Sequence, residues 1–115
     1  EALGQPILAN PSLVAEDGLV GWPAALWFWM TTQLPKPSSH DVMTGAWEPP
    51  AEEASAGRHP GFGLTVNIIN GRQECGAART GDDRVEDRIG FYLRYANMLG
   101  VSPGDHLTCD TMVEY

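Results

Sequence analysis

Basic side chains are scarce in this chain, and their scarcity limits the partners it can have. Seven lysines and arginines stand against 15 aspartates and glutamates, which gives a formal net charge of −8. Nucleic acids and anionic membranes offer no cations that such a surface could pair with, so we expect neither as a partner. The charge suits a neutral or cationic ligand, and it is equally typical of a soluble secreted protein.

Cysteine is also scarce, with only Cys75 and Cys109 in the chain. Two distant cysteines do not make a metal site, which needs further Cys or His ligands at short spacing. In an oxidising compartment they are expected to form a disulfide between two elements, whereas in the cytosol they would be buried free thiols. Both interpretations stay open on the cysteines alone, and no metal or other cofactor is predicted.

Long apolar runs and recognisable catalytic motifs are missing. The longest apolar run, residues 24–30, is too short to span a bilayer, and no signal peptide is recognisable. His40 and His59 have no serine or cysteine nucleophile at a readable spacing, so a catalytic triad is not predicted. The first residue is Glu1 rather than Met, and we therefore expect a processed product or a fragment.

The chain does have the composition of a folded unit. It has 115 residues, 43% of them hydrophobic, which predicts one domain or subdomain over residues 1–115. Its four tryptophans suit either a core or a platform for a ligand. Residues 19–32 predict a helix that is apolar almost all round and therefore buried, and Pro35 and Pro37 end it.

Two polar positions follow that helix. Lys36 is the only lysine and stands between two prolines, where it is either a solvated cation or a positioned one. Residues 61–69 predict a second helix with Gly71 at its left-handed end. Asn70 then lies at a sharp turn, where its amide either meets a ligand or caps the turn.

The last helix is predicted to begin after Asp83 and to end at Gly100. At about 100° per residue, Arg88 lies at the edge of its apolar stripe, and a half-buried guanidinium needs acceptors. Glu74 is the nearby candidate. The pair is either a structural ion pair or an arginine that positions a catalytic carboxylate and tunes its pKa.

Seven short segments share their order and spacing with a known family. They are 27–31 (WFWMT), 35–38 (PKPS), 57–58 (GR), 60–63 (PGFG), 67–71 (NIING), 74–76 (ECG) and 84–92 (RVEDRIGFY). Together they resemble the plant-type chitinases of glycoside hydrolase family 19. Residues 107–109 follow the family pattern loosely, and residues 111–115 do not follow it.

The resemblance implies a mainly α, lysozyme-like helical fold (α+β in the complete family), of which this chain is the C-terminal part. It implies action on β-1,4-linked N-acetylglucosamine. It also implies that Lys36, Ile69 and Asn70 line the sugar cleft, while Glu74 and Arg88 form a network around the catalytic acid.

The resemblance bears on the cysteines, the ligand and the location as well. Cys75 and Cys109 match a family disulfide. The implied ligand is chitin or its N-acetylglucosamine oligosaccharides. The implied location is outside the cell or in the vacuole, with a role in polysaccharide catabolism and plant defence.

The family's general acid and base are two glutamates in the first half of its domain, and this chain matches the second half. We therefore expect that the chain alone does not hydrolyse chitin. Three interpretations stay open: the C-terminal portion of an endochitinase, a non-catalytic chitin-binding or defence protein, and a storage or allergen-type remnant. The apolar helix at 19–32 favours the first, because a lone portion would expose it and would pair with its missing half or form a homodimer.

Overall fold

A computed structural model of the protein describes residues 2–115, and within that range the regular structure is helical. The fold class predicted from the sequence is confirmed. Gln33 and Lys36 form an isolated antiparallel bridge, and no strand occurs in the described part of the chain. The elements are α1 (Leu13–Glu16), α2 (Gly18–Met30), α3 (Ser39–Thr44), α4 (Ala51–Ser55), α5 (Phe62–Glu74), a 3₁₀ turn (Ala77–Arg79) and α6 (Asp83–Leu99).

The core surrounds α5, which is the most deeply buried helix. Leu64, Val66 and Ile68 are fully buried along it. Val85 and Ile89 of α6 pack against them, as the predicted apolar stripe requires. The remaining buried hydrophobic members are Val42 of α3, the two cysteines and Met112.

Helix α2 corrects one expectation. It is apolar all round as predicted, but only Val20 among its residues is buried. Trp22 is 74% exposed and Leu26 is 61% exposed, because α2 packs mainly on the short helices α1 and α3. The prediction that α2 is buried is wrong for this chain, and the expected apolar surface is present.

Helix α5 ends later than the sequence predicted. It does not end at Gly71 but runs on to Glu74, and the non-helical residue inside it is Asn70, with φ −147° and ψ 34°. A Cβ on Gly71 would overlap Oδ1 of Asn67, so this glycine permits a close approach rather than a left-handed turn.

The residue that caps α6 is Asp82, one position before the predicted Asp83. Asp82 has extended backbone angles, and its carboxylate accepts a 3.0 Å hydrogen bond from the backbone N–H of Arg84. The predicted end of α6 is confirmed, since Gly100 adopts the left-handed conformation.

The segment after α6, residues 101–115, folds back along α5 without regular structure, and we call it the tail. A disulfide between Cys75 and Cys109 fixes it, and its Cα atoms are 5.0 Å apart. The bond spans 34 positions, which corresponds to about 4 kcal/mol of stabilisation in the chain-entropy model. The expected disulfide is therefore present, and it holds residues 105–115 beside α5.

Candidate functional site

The five polar-site residues predicted from the sequence lie around the kink in α5. Ile69 and Asn70 are at the kink, and Glu74 is one turn further along the same helix. Arg88 reaches Glu74 from α6, and Lys36 reaches the carbonyl of Ile68 from the loop after α2. The fold thus brings all five predicted residues to one end of α5.

Glu74 is the buried acid of this cluster, with 2% of its surface exposed. Arg88 donates from Nε to Oε2 at 2.9 Å and from Nη2 to Oε1 at 3.1 Å. Asn70 donates from Nδ2 to Oε1 at 2.7 Å. Both carboxylate oxygens therefore have partners, and one of these comes from the residue that forms the kink.

These contacts set the ionisation of Glu74. Burial raises the pKa of its carboxyl, but the hydrogen bonds from Arg88 and Asn70 outweigh burial, so the pKa lies below its ordinary value. Glu74 is consequently ionised at neutral pH. It is suited to holding neighbouring donors in place rather than to giving up a proton.

Lys36 occupies the other side of the kink. Its Nζ donates to the carbonyl oxygen of Ile68 at 2.8 Å, and the side chain is partly buried. Burial lowers the pKa of the Lys36 ammonium, and the positive charge of Arg72 lowers it further. The sequence left open whether Lys36 is a solvated cation or a positioned one, and in the structure it is positioned by its hydrogen bond to Ile68.

A cavity of about 330 Å³ lies between Lys36 and the kink, and we call it the polar pocket. It is lined by Lys36, Ile69, Asn70, Gly71, Arg72, Gln73 and Tyr115. Three residues predicted to line a sugar cleft are therefore neighbours in one pocket.

A second cavity, of about 380 Å³, lies on the far side of Ile69, and we call it the aromatic groove. It is lined by Trp29, Phe62, Thr65, Val66, Ile69, Arg88, Phe91, Tyr92 and Tyr95. Ile69 is 43% exposed and borders both cavities, which makes it the ridge between them. A larger cavity of about 630 Å³, beside residues 2–8 and Trp27, contains none of the predicted site residues.

Sequence reasoning missed two residues of this region. Asn67 is fully buried, and its side chain donates to the carbonyl of Val113 at 3.0 Å and accepts from the backbone N–H of Tyr115 at 3.2 Å. Tyr115 thereby joins the polar pocket. Only the tertiary contact between α5 and the end of the chain brings them together, and no local pattern signals it.

Two kinds of feature are absent from the described residues, a metal-binding cluster and a membrane-spanning helix. Between residues 2 and 115, no three His, Cys, Asp or Glu side chains come together in a way that could hold a metal ion. Over the same span, no helix has the length and apolar character needed to cross a membrane.

Comparison with known proteins supplies a family. The family model described as chitinase class I, of glycoside hydrolase family 19, matches residues 1–109. Endochitinase 2 of Solanum tuberosum is 56% identical over 108 residues, which are 94% of this chain and 34% of that protein. An inactive chitinase-like protein 2 of Hevea brasiliensis is 58% identical over 109 residues, 95% of this chain and 31% of that protein.

A solved structure that is similar to this chain belongs to the same family. The crystal structure of a bacterial family 19 chitinase matches 94% of this chain with a TM-score of 0.66 and 38% identity. That match covers 46% of the bacterial chain. The present chain thus spans about a third of the length of the curated relatives it matches.

Proposed function

Since this chain belongs to the class I chitinases of glycoside hydrolase family 19, we propose that it is the C-terminal portion of an endochitinase-like catalytic domain. In this proposal it supplies one wall of a cleft for β-1,4-linked N-acetylglucosamine polymers. The observation that supports it most is the clustering of Lys36, Ile69 and Asn70 in the polar pocket. A neutral sugar fits such a pocket, because its hydroxyl and acetamido groups both donate and accept hydrogen bonds.

Glu74 and Arg88 have a supporting role in this proposal. Glu74 fixes the amide of Asn70 from behind, so that the other side of that amide is oriented toward the pocket. Arg88 uses Nε and Nη2 on Glu74, and within residues 2–115 its Nη1 has no hydrogen-bond acceptor. The two N–H groups of Nη1 are available for a catalytic carboxylate contributed by another part of the enzyme.

The chain alone is proposed to be inactive. Inverting hydrolysis needs a general acid and a general base on opposite sides of the bond, with their carboxyl groups about 6.5–9.5 Å apart. Within the described residues, no aspartate or glutamate lines either the polar pocket or the aromatic groove. Glu74 has both oxygens engaged and a lowered pKa, so it is a poor proton donor.

The remaining portion of the domain is the proposed partner, with a second copy of this chain as the alternative. The aromatic groove and the exposed face of α2 are apolar surfaces that such a portion would cover. The proposed location is extracellular or vacuolar, because a disulfide persists in oxidising compartments.

A non-catalytic chitin-binding or defence protein is the second candidate. Its support is that the relative named inactive chitinase-like is as similar to this chain as the relatives named endochitinase. The third interpretation, a storage or allergen-type remnant, has no specific observation in its favour.

The test combines binding with hydrolysis. The purified chain is incubated with N-acetylglucosamine hexamer, and the products are quantified by mass spectrometry beside a homologous full-length endochitinase. We expect saturable binding without hydrolysis. Hydrolysis by this chain would contradict the missing acid and base, and absence of binding would contradict the sugar-cleft assignment.

The two candidates are separated by the intact mass of the protein isolated from its source. A longer polypeptide, or a second polypeptide in the same particle, would agree with a portion of an endochitinase. A particle that contains this chain alone and binds chitin without hydrolysis would favour the non-catalytic protein.

A further inference from the structure

Tyr115 reaches the polar pocket from a part of the chain that the family comparison does not cover. The match to the chitinase family ends at residue 109, and residues 111–115 departed from the family pattern already in the sequence. Even so, Tyr115 lines the same pocket as Lys36 and Asn70. The pocket therefore has a component that the family resemblance does not supply.

The side chain of Tyr115 is held by an ion pair outside the site described above. Its hydroxyl donates to Glu53 at 2.7 Å, and Glu53 accepts two hydrogen bonds from Arg58, at 2.8 and 3.0 Å. The guanidinium of Arg58 also lies 4.2 Å from the centre of the Tyr115 ring. Both charged side chains are largely buried, which makes this a rigid support.

The backbone of Tyr115 is fixed as well. Its N–H donates to Oδ1 of Asn67 at 3.2 Å, and the same side chain binds the carbonyl of Val113. Contacts at the hydroxyl, the ring and the backbone leave the ring little freedom. Its position relative to the pocket is therefore determined by α4 and α5.

The ring in turn contacts the ammonium group of Lys36. Nζ of Lys36 lies 5.6 Å from the ring centre, within the range of a cation–π interaction. The same nitrogen donates one hydrogen bond, to Ile68, out of the three that an ammonium can make. A flexible side chain is thus held at two points while donors remain for a ligand.

We propose that Tyr115 is a positioning residue of the polar pocket, which holds the ammonium of Lys36 where its remaining N–H groups meet the oxygens of a bound N-acetylglucosamine unit. This inference rests on the proposed function. It extends the sugar-binding wall to a tail residue and makes the Glu53–Arg58 pair its support.

The test uses the fact that Lys36 is the only lysine. Selective ¹³C labelling of lysine gives a single ε-methylene signal, and we expect the ring current of Tyr115 to shift it, because Nζ lies 5.6 Å from the ring centre. The variants are Y115F, which keeps the ring, and Y115L, which keeps an apolar side chain without a ring. Each is titrated with N-acetylglucosamine tetramer, and amide spectra verify that both variants are folded.

We expect Y115F to keep the Lys36 shift and the affinity, because without the hydroxyl its ring still lies against Arg58 and its backbone N–H still binds Asn67. We expect Y115L to lose the shift and to bind the tetramer about five-fold more weakly. Loss of a partly exposed cation–π contact lowers an affinity by about tenfold or less. Rescue by Y115F is the readout that a general loss of stability would not give.

The opposite results overturn the inference in two distinguishable ways. If the wild-type chain binds the tetramer and Y115L binds it equally well, the positioning role is wrong while the proposed function stands. If the Lys36 signal of the wild-type chain is shifted by the ring but does not respond to the tetramer, the sugar-binding function fails and the role of Tyr115 fails with it.

Discussion

At the scale of single residues, the environment of Glu74 decides what the cluster at the end of α5 can do. A carboxylate removed from solvent is costly unless charged or polar groups replace the lost hydration. Arg88 and Asn70 provide that replacement, and the pKa of Glu74 is lowered in spite of its burial. The stability of the fold is therefore linked to the ionisation of this residue.

Arg88→Ala tests this link. The substitution leaves Glu74 buried with Asn70 as its remaining side-chain donor, so the free energy of unfolding at pH 7 should fall. We expect a loss of about 1–3 kcal/mol, below the cost of breaking a fully buried pair, because the Arg88 side chain is 43% exposed. Urea denaturation of both proteins measures it.

The pH dependence of this stability difference is a second test of the link. In the wild-type protein the folded-state pKa of Glu74 lies below 4.5, so its stabilising contribution is present above that pH and is lost as the pH falls through the folded-state pKa. The stability difference between wild type and Arg88→Ala should therefore shrink below pH 4.5. Arg94→Ala, at an exposed position of the same helix, is the control and should change stability by about 0.5 kcal/mol or less. Equal stability of the two variants at pH 7 would contradict the account.

At the scale of elements, the contact between α5 and the tail depends on glycine. A Cβ on Gly63 would overlap the backbone carbonyl oxygen of Thr108, and backbone cannot move aside as a flexible side chain can. The tail carries Cys109, Val113 and Tyr115, so this close approach is what brings the polar pocket together.

Gly63→Ala should destabilise the protein by about 3 kcal/mol or more, or prevent folding. Gly90→Ala is the matched control, because Gly90 lies inside α6 and, apart from the adjacent residues and backbone of that helix, no atom of residues 2–115 lies within 4 Å of the added Cβ. An alanine there should stabilise the helix by up to about 1 kcal/mol. Thermal and chemical denaturation compare the two, and similar effects of both substitutions would show that the close packing of the tail is not required.

The local features of the elements could be read from the sequence. Gly100 ends α6 in the left-handed conformation, as predicted, and α3 has local signals of the same kind, with Ser38 capping it through its side chain and Gly45 ending it in the left-handed conformation. Each of these features depends on a few neighbouring residues. The placement of Arg88 at the edge of an apolar stripe was also a local inference, and its contact with Glu74 is present. The functional roles of these two residues stay predictions.

The features that could not be predicted depend on distant parts of the chain. A helix end at Gly71 was expected, but α5 kinks at Asn70 and continues to Glu74. Beside the kink, Oδ1 of Asn67 lies against Gly71 and accepts a hydrogen bond from the backbone N–H of Tyr115, a residue 48 positions away. Tyr115 joined the pocket through contacts more than 40 positions away. The burial of α2 was inferred from its apolarity, which says that the helix needs cover but not whether this chain provides it.

At the scale of the whole molecule, the apolar surface of α2 is the main feature that the chain leaves uncovered. Leu19, Trp22, Leu26 and Met30 are each more than half exposed. Exposed apolar side chains that lie close together on one helix favour association, because burying them removes apolar area from water.

The isolated chain should therefore self-associate. Sedimentation velocity at increasing protein concentration should show species larger than the monomer. The double variant Trp22→Gln, Leu26→Gln should shift the distribution toward monomer without loss of stability, since neither side chain belongs to the core. A compact wild-type monomer over the whole concentration range would refute this prediction.

The wall of the sugar cleft that we propose lies around the kink in α5 and is built entirely from residues of this chain. Amide chemical-shift mapping during titration with N-acetylglucosamine tetramer tests it most directly, because every residue with a backbone N–H reports its own response. We expect the largest saturable shifts at Lys36, Ile69, Asn70 and Tyr115. Shifts that cluster on the apolar face of α2 instead, or no saturable shifts at all, would contradict it.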